Sequence, residues 1–238
     1  MDEITVKRKK KKKLTKKKLL IILAVLIILT GLIISVYPYI LSAIFNYRQQ
    51  NLVNMWMAEN AGIGPGNINE GLPAIPEEPE LTGGDSDLYE EDIDAFFDFN
   101  HALNMMAGIL NIPSLSLTSP ILRPETEQNL NIGVCEVTGS TAAPGGIGNY
   151  ILSGHYSRIR GRHFNRLPDI EIGASVFISN LNGIYEYEVY EILQVKAEDN
   201  WAVRLNVRER IATLITCDYT KGEPYGRWIV MCRFKSSS

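Results

Sequence analysis

With 238 residues, 45% of them hydrophobic, and a formal net charge of −3, the chain has room for one domain of ordinary size plus extensions. The near balance of 24 Lys and Arg against 27 Asp and Glu hides two opposite blocks: residues 7–18, "KRKKKKKLTKKK", are almost all basic and the remainder is acidic. Three cysteines, an odd number, argue against a complete disulfide framework, and the sequence has no internal repeat, phosphate-binding Gly-rich loop or metal-ligand cluster.

The basic run leads directly into "LLIILAVLIILTGLIISVYPYIL", residues 19–41, which carries no charge. About 20 apolar residues suffice for a helix to cross the hydrocarbon core. A cleaved signal peptide has a shorter apolar region, about 7 to 15 residues, ending at a small-residue site. This segment is longer and lacks a convincing site, so an uncleaved single-pass anchor in the cell membrane is expected. A nuclear or nucleic-acid patch is the weaker reading because the lysines abut the apolar span, and no nucleic-acid partner is expected. Lysines stay on the cytoplasmic side and can bind anionic lipid, which puts the N-terminus inside and everything after Leu41 outside. Tyr37, Tyr39 and Tyr47 suit the outer interface.

From residue 60 to 94 Gly and Pro recur, acids accumulate and no apolar period is sustained, so this stretch reads as a stalk. Toward its end Asp87 followed by Glu90 resembles an N-terminal cap, and Ile93, Phe96, Phe97 and Leu103 fall near one face of a helix. That helix is read as capping the edge of the following domain rather than regulating access to a site. The expected organisation is a basic cytoplasmic tail (1–18), an anchor (19–41), a stalk (42–104) and a C-terminal domain (105–238).

After Met106 short β-rich runs alternate with Gly, Pro and Asn: "GILNIP", "LTSPILR", "IGVCEV", "NYILSGH", "SVFIS", "YEYEVYEILQV", "RIATLITC" and "RWIVMCRF". With one short helical candidate at "GRHFNRL", this spacing predicts an all-β sandwich or barrel. Clean alternation in "YEYEVYEI" predicts one packed and one solvated face. His101, His155 and His163 are scattered, without zinc-site spacing.

Strand parity separates the cysteines. In "RWIVMCRF", Trp228, Val230, Cys232 and Phe234 share one face, and Arg227, Ile229, Met231 and Arg233 the other. Cys232 therefore reads as an inert core thiol, and Cys135 in "IGVCEV" is read the same way, with a disulfide as the alternative for either. Cys217 instead ends the strand "TLITC", where the chain turns into "DYTKGEPYG". A thiol is a useful nucleophile only when a partner takes its proton or stabilises its anion. Arg227 heads the next strand across this hairpin, on the face away from the core row, and offers a permanent cation with a fork of donors for an oxyanion or carbonyl. In "YILSGHYS", His155 ends another strand behind a glycine, and its near-neutral pKa in the free residue suits a general acid or base. His163, in what reads as a loop entering a helical turn, has no comparable setting. Asp218 is adjacent to Cys217 in sequence and reads as a turn residue. Neither a carboxylate nor an amide stands out as a partner orienting His155.

Over residues 108–234 the chain resembles the sortases, membrane-anchored cysteine transpeptidases of Gram-positive bacteria. "TLITC" is similar to the TLxTC motif with Cys217 as nucleophile, "LSGH" to the histidine motif with His155, and Arg227 to the downstream arginine; "IPSLSLTSPI", "GSTAAPGGIGN" and "FNRL" also look like family segments. The resemblance implies a closed eight-stranded β-barrel whose groove holds an LPxTG-like sorting signal. It implies that Cys217 attacks the carbonyl after the threonine, that Arg227 binds substrate backbone or oxyanion, and that His155 protonates the leaving amine and deprotonates the incoming one. The implied partners are surface-protein sorting signals and an amine acceptor, such as a lipid-linked cell-wall precursor or a pilin lysine.

Some pilus-building sortases carry a lid with an Asp-Pro-aromatic signature; no Asp-Pro pair occurs here, which tilts the expectation toward a wall-anchoring, class A-like or D-like enzyme. The loop "GSTAAPGGIGN" offers no carboxylate of the kind that binds calcium in some class A members, so no metal, no cofactor and no calcium activation are expected. Residues in "KAEDNWAVRLNVRE" do not specify the motif variant bound. A pilin-polymerising enzyme and a catalytically silent sortase-like binding module are the alternatives, with a secreted cysteine hydrolase as a third.

Overall fold

The computed structural model describes residues 16–60, 98–157, 163–199, 207–218 and 226–238. The chain divides into two compact units, Met1–Leu41 and Ser42–Ser238. Helix α1 (Lys16–Glu59) opens the described chain. Within the first unit its Leu, Ile and Val side chains face outward on every side, with Ile28 70% exposed. An all-round apolar surface marks a helix made for an apolar surrounding. Among the described residues this helix is long and apolar enough to cross a membrane. The basic residues 1–15 and most of the expected stalk, including Asp87, Glu90, Ile93, Phe96 and Phe97, lie outside the described residues.

The second unit is built on a closed barrel. All eight β-rich runs form strands: β1 (Met106–Ile112), β2 (Leu117–Leu122), β3 (Val134–Glu136), β4 (Gly148–Ser153), β5 (Ser175–Asn180), β6 (Gly183–Lys196), β7 (Arg210–Asp218) and β8 (Gly226–Ser237). Around the barrel they run β1-β2-β3-β4-β7-β8-β6-β5, closing between β5 and β1. Closure removes the free sheet edges that a sandwich would leave. Two neighbouring pairs, β2–β3 and β4–β7, are parallel and the others antiparallel.

Alternation fills the interior. Tyr150 and Leu152 of β4, Tyr187 and Val189 of β6, Ala212 and Leu214 of β7, and Val230 and Cys232 of β8 all join one core cluster. Their odd-register neighbours face outward, as the strand period of two requires. Phe164, Leu167 and Ile170 also join this core, from the segment after β4. In that segment the described part of the helical candidate "GRHFNRL" is instead a single bridge between Tyr156 and His163 followed by a turn, and a short 3-10 turn, Leu167–Asp169, begins only at its last residue.

Helices cover the outside of one flank. Residues 42–59, at the start of the region expected as stalk, are helical, and Phe45, Gln49, Leu52, Val53 and Trp56 fall on one face and are buried. Leu52 packs with Ala102 of α2 (Phe99–Met105), Ile132 of α3 (Glu127–Ile132), Leu122 and Cys135, while Val53 and Trp56 pack on Ile109. Gln49 Nε2 donates to the Ile132 carbonyl at 2.6 Å, so the one polar group on this buried face is satisfied. Helix α2 is capped by Asp98, whose carboxylate accepts from the His101 amide. His101 in turn meets the Asn129 side chain at 2.8 Å.

Candidate active site

The register of three adjacent strands assembles the candidate residues. In the antiparallel β7–β8 pair, Cys217 lies directly opposite Arg227. Both side chains are on the outward face by parity, because Leu214 and Val230, of the alternate parity on their strands, join the barrel core. Both are half-buried, and Cys217 is a free thiol. The Arg227 guanidinium donates through Nη1 to the Gly226 carbonyl at 2.9 Å. Gly226 permits this close start of β8, since a Cβ there would stand 2.6 Å from the Val195 carbonyl oxygen.

His155 reaches the same place from the parallel neighbour. The β4–β7 ladder ends with Ser153 opposite Ile215, so two residues further on lie His155 and Cys217. Two bonds carry the alignment past the ladder: the Gly154 amide donates to the Ile215 carbonyl at 3.0 Å, and Thr216 Oγ1 donates to the Gly154 carbonyl at 2.8 Å. Gly154 faces inward, where a Cβ would stand 2.6 Å from the Phe164 ring. The close approach that this glycine permits is therefore made by the protein's own core. Sequence reasoning thus placed Cys217, Arg227 and His155 at ends of strands that the fold brings together.

Asp218 is buried and accepts from Gln194 Nε2 of β6 at 2.5 Å, which fixes it as a strand-end acceptor. Cys232 is fully buried in the barrel core and Cys135 fully buried under the helices; both are free thiols. Burial pushes the Cys135 thiol up to about 12 and raises that of Cys232. Neither is a ready thiolate.

His163 is the residue that sequence reasoning passed over. It is 4% exposed, and its ring stands edge-on to that of His155 with centroids 6.0 Å apart. The backbone holds it there through the bridge to Tyr156 and a bond from the Phe164 amide to the His155 carbonyl at 3.0 Å. Nothing in its spacing signals this, because His155 and His163 belong to no common helix or strand period. Residues 158–162, 200–206 and 219–225, which include half of "KAEDNWAVRLNVRE" and most of "DYTKGEPYG", lie outside the described residues. Among the described residues no group of three or more His, Cys, Asp and Glu is arranged to hold a metal ion.

A family model described as "Sortase domain" matches residues 110–235, a span containing all three candidate residues. Sortase A of Bacillus anthracis is 34% identical over 110 residues, which cover 46% of this chain and 51% of that protein. The chain thus spans about half the length of that curated relative. The crystal structure of Listeria monocytogenes sortase A superimposes with a TM-score of 0.52 at 24% identity, covering 56% of this chain and 90% of that one. Sortase C-1 from Actinomyces oris gives a TM-score of 0.50 at 27% identity, with 54% and 73% covered.

Proposed function

The chain belongs to the sortase family, and on that premise we propose that it is a membrane-anchored cysteine transpeptidase. It cleaves an LPxTG-like sorting signal through a thioacyl-enzyme and passes the surface protein to an amine of the cell wall. The observation that supports this most is the convergence of three strand ends. Cys217 and Arg227 face each other across β7–β8, and His155 comes from the aligned end of β4.

In this reading the Cys217 thiolate attacks the carbonyl carbon after the threonine, and the negative charge that develops on oxygen is met by Arg227. Collapse breaks the C–N bond, and His155 gives its proton to the leaving amine. An incoming amine then attacks the thioester, His155 takes its proton, and Cys217 leaves as the thiolate. Splitting amide exchange in this way replaces one difficult step by two easier ones, and the cation serves both oxyanions.

The apolar helix, long enough to cross a membrane, supports anchoring there, and the lysine rule supports an N-terminus inside. A lipid-linked cell-wall precursor is then the acceptor nearest to hand. The absence of an Asp-Pro pair supports wall anchoring over pilin polymerisation.

The test offers the full chain in detergent an LPxTG peptide panel with and without a small amine. Amine-dependent ligation, with a thioacyl adduct on Cys217 seen by mass spectrometry and lost in Cys217→Ala, is the expected result. Cleavage indifferent to the amine would mark a hydrolase, and absence of any adduct would mark a silent binding barrel.

A further inference from the structure

The geometry points to His163, held by Phe45 of α1, as a positioning residue that sets the orientation of the His155 ring. This rests on the transpeptidase reading for its kinetic consequence, though not for its structural one.

Three rings form a continuous stack. Phe45 meets His163 with centroids 4.9 Å apart and planes tilted by 59°. His163 meets His155 at 6.0 Å and 86°, an edge-to-face arrangement. Phe45 is 8% exposed and His163 4%, so the first two rings are fixed by packing, while His155 at the end is half-buried. A general acid and base must be aimed, and the usual device is a hydrogen bond from a carboxylate or amide. Here the neighbour that bounds the ring is another imidazole.

The backbone is committed to the same end. His163 adopts φ of 53°, a left-handed conformation uncommon for a side chain of this size. The bridge to Tyr156 and the Phe164-to-His155 bond hold it there, and Phe164 fills the space that Gly154 leaves. Such local strain persists where the surroundings over-determine it, and it collects at functional sites. The backbone on both sides of His155 is thereby clamped, by β7 through Thr216 and by residues 163–164, and its ring is left two side-chain torsions that the perpendicular His163 ring limits.

The consequence is that residues 42–59 are part of the catalytic apparatus without touching substrate. Phe45 belongs to the same helix as the apolar span, so the quality of helix docking is read out at the general acid.

Two pairs of substitutions in the full chain separate the roles. His163→Asn keeps a residue at ease in the left-handed region and removes the ring, whereas His163→Phe keeps a ring. Phe45→Ala removes the support one step further away. Only three histidines occur in the chain, so imidazole NMR of histidine-labelled protein in detergent resolves His155 directly.

Expected are a kcat for amine-dependent ligation lowered about tenfold in His163→Asn and Phe45→Ala, with peptide KM held within about twofold, and most of the turnover regained in His163→Phe. The His155 imidazole resonances should move in Phe45→Ala as they do in His163→Asn, the support acting through the His163 ring on which Phe45 packs. Should Phe45→Ala fail to fold, Phe45→Leu keeps the burial, loses the ring and reads the same signals.

Unmoved His155 resonances in the Phe45 variant would overturn the inference whatever the His163 variants do, as would a His163→Phe chain of wild-type melting temperature that turns over no faster than His163→Asn. A wild-type chain that forms no adduct on Cys217 sinks the transpeptidase reading instead, and the NMR comparison still decides this one.

Discussion

Cys217 and Arg227 occupy one cross-strand pair, directly opposite each other near the end of the β7–β8 ladder, with only Asp218 and Gly226 paired beyond them among the described residues. Side chains so paired stand about 5 Å apart at Cβ, within reach of a single substrate carbonyl. The pairing is set by a hairpin whose arms are fixed elsewhere: Val230 and Leu214 are opposite each other in the core, as are Cys232 and Ala212. The core register thus determines the site geometry, since a slip of one residue would turn Cys217 inward.

Arg227 is therefore expected to act as a charged donor for the oxyanion, in a role that needs its fork. Arg227→Ala should lower kcat/KM for the peptide by about 10² to 10³, the usual loss for a removed oxyanion donor, and Arg227→Lys should recover only part of it. Steady-state ligation kinetics decide this; an alanine variant close to wild type would remove Arg227 from the chemistry.

Gly154 and Phe164 are matched in the same structural sense. An added Cβ would stand 2.6 Å from the ring, so Gly154→Ala must displace either the barrel-filling Phe164 or the strand end that carries His155. Destabilisation of about 1 to 3 kcal/mol is expected from overpacking. Thermal melts should show it as a lower Tm, accompanied by slower ligation because His155 moves with its strand. Unchanged stability would mean that Phe164 is not held as tightly as its full burial indicates.

Strands were legible because each carries its own period. The alternation in "RWIVMCRF" put Cys232 inside and Arg227 outside, and both parities hold. The ends of "TLITC" and "LSGH" likewise named Cys217 and His155. Less legible was whatever depends on one segment returning to another. Cys135 was read with Cys232 as a core thiol, yet it packs outside the barrel under Leu52 and Ala102, because strand parity says which face a residue takes but not what covers that face. His163 was passed over for the same reason: its contact with His155 joins residues that share no periodic element. The amphipathic run from Phe45 to Trp56 follows an apolar span so long that its own period is masked, and only its buried partners reveal it.

The three thiols should separate cleanly toward an alkylating reagent. Cys135 and Cys232 are fully buried with raised pKa, so native protein near pH 8 should take one label, on Cys217, and three on unfolding. Intact-mass and peptide mass spectrometry read the outcome, and a second native label on Cys135 would contradict its packing.

Alkaline stability follows from the same burial. An unfolded Cys135 thiol loses its proton from about 9.0, while the folded one keeps it to about 12. Below 9.0 both states are protonated and the contribution is fully present; as pH rises through this window the unfolded state sheds protons first, so stability falls. Melting temperature should decline between pH 9 and 12, and less steeply in Cys135→Ala relative to its own value at pH 8. Equal slopes for the two proteins would assign the decline to other groups.

Gln49 offers a way to loosen the docked helix without touching the ring stack. Its side chain is 4% exposed and donates to the Ile132 carbonyl at 2.6 Å, on a face otherwise closed by Leu52 and Val53. Gln49→Leu fits the apolar face but leaves that carbonyl unpaired, at a cost of about 1 to 3 kcal/mol. The loss should be local: hydrogen exchange in residues 42–59 rises while the amides of β7 and β8 stay protected. Exchange rising equally across β7 and β8 would show instead that helix and barrel open together, making the helix an integral part of the fold.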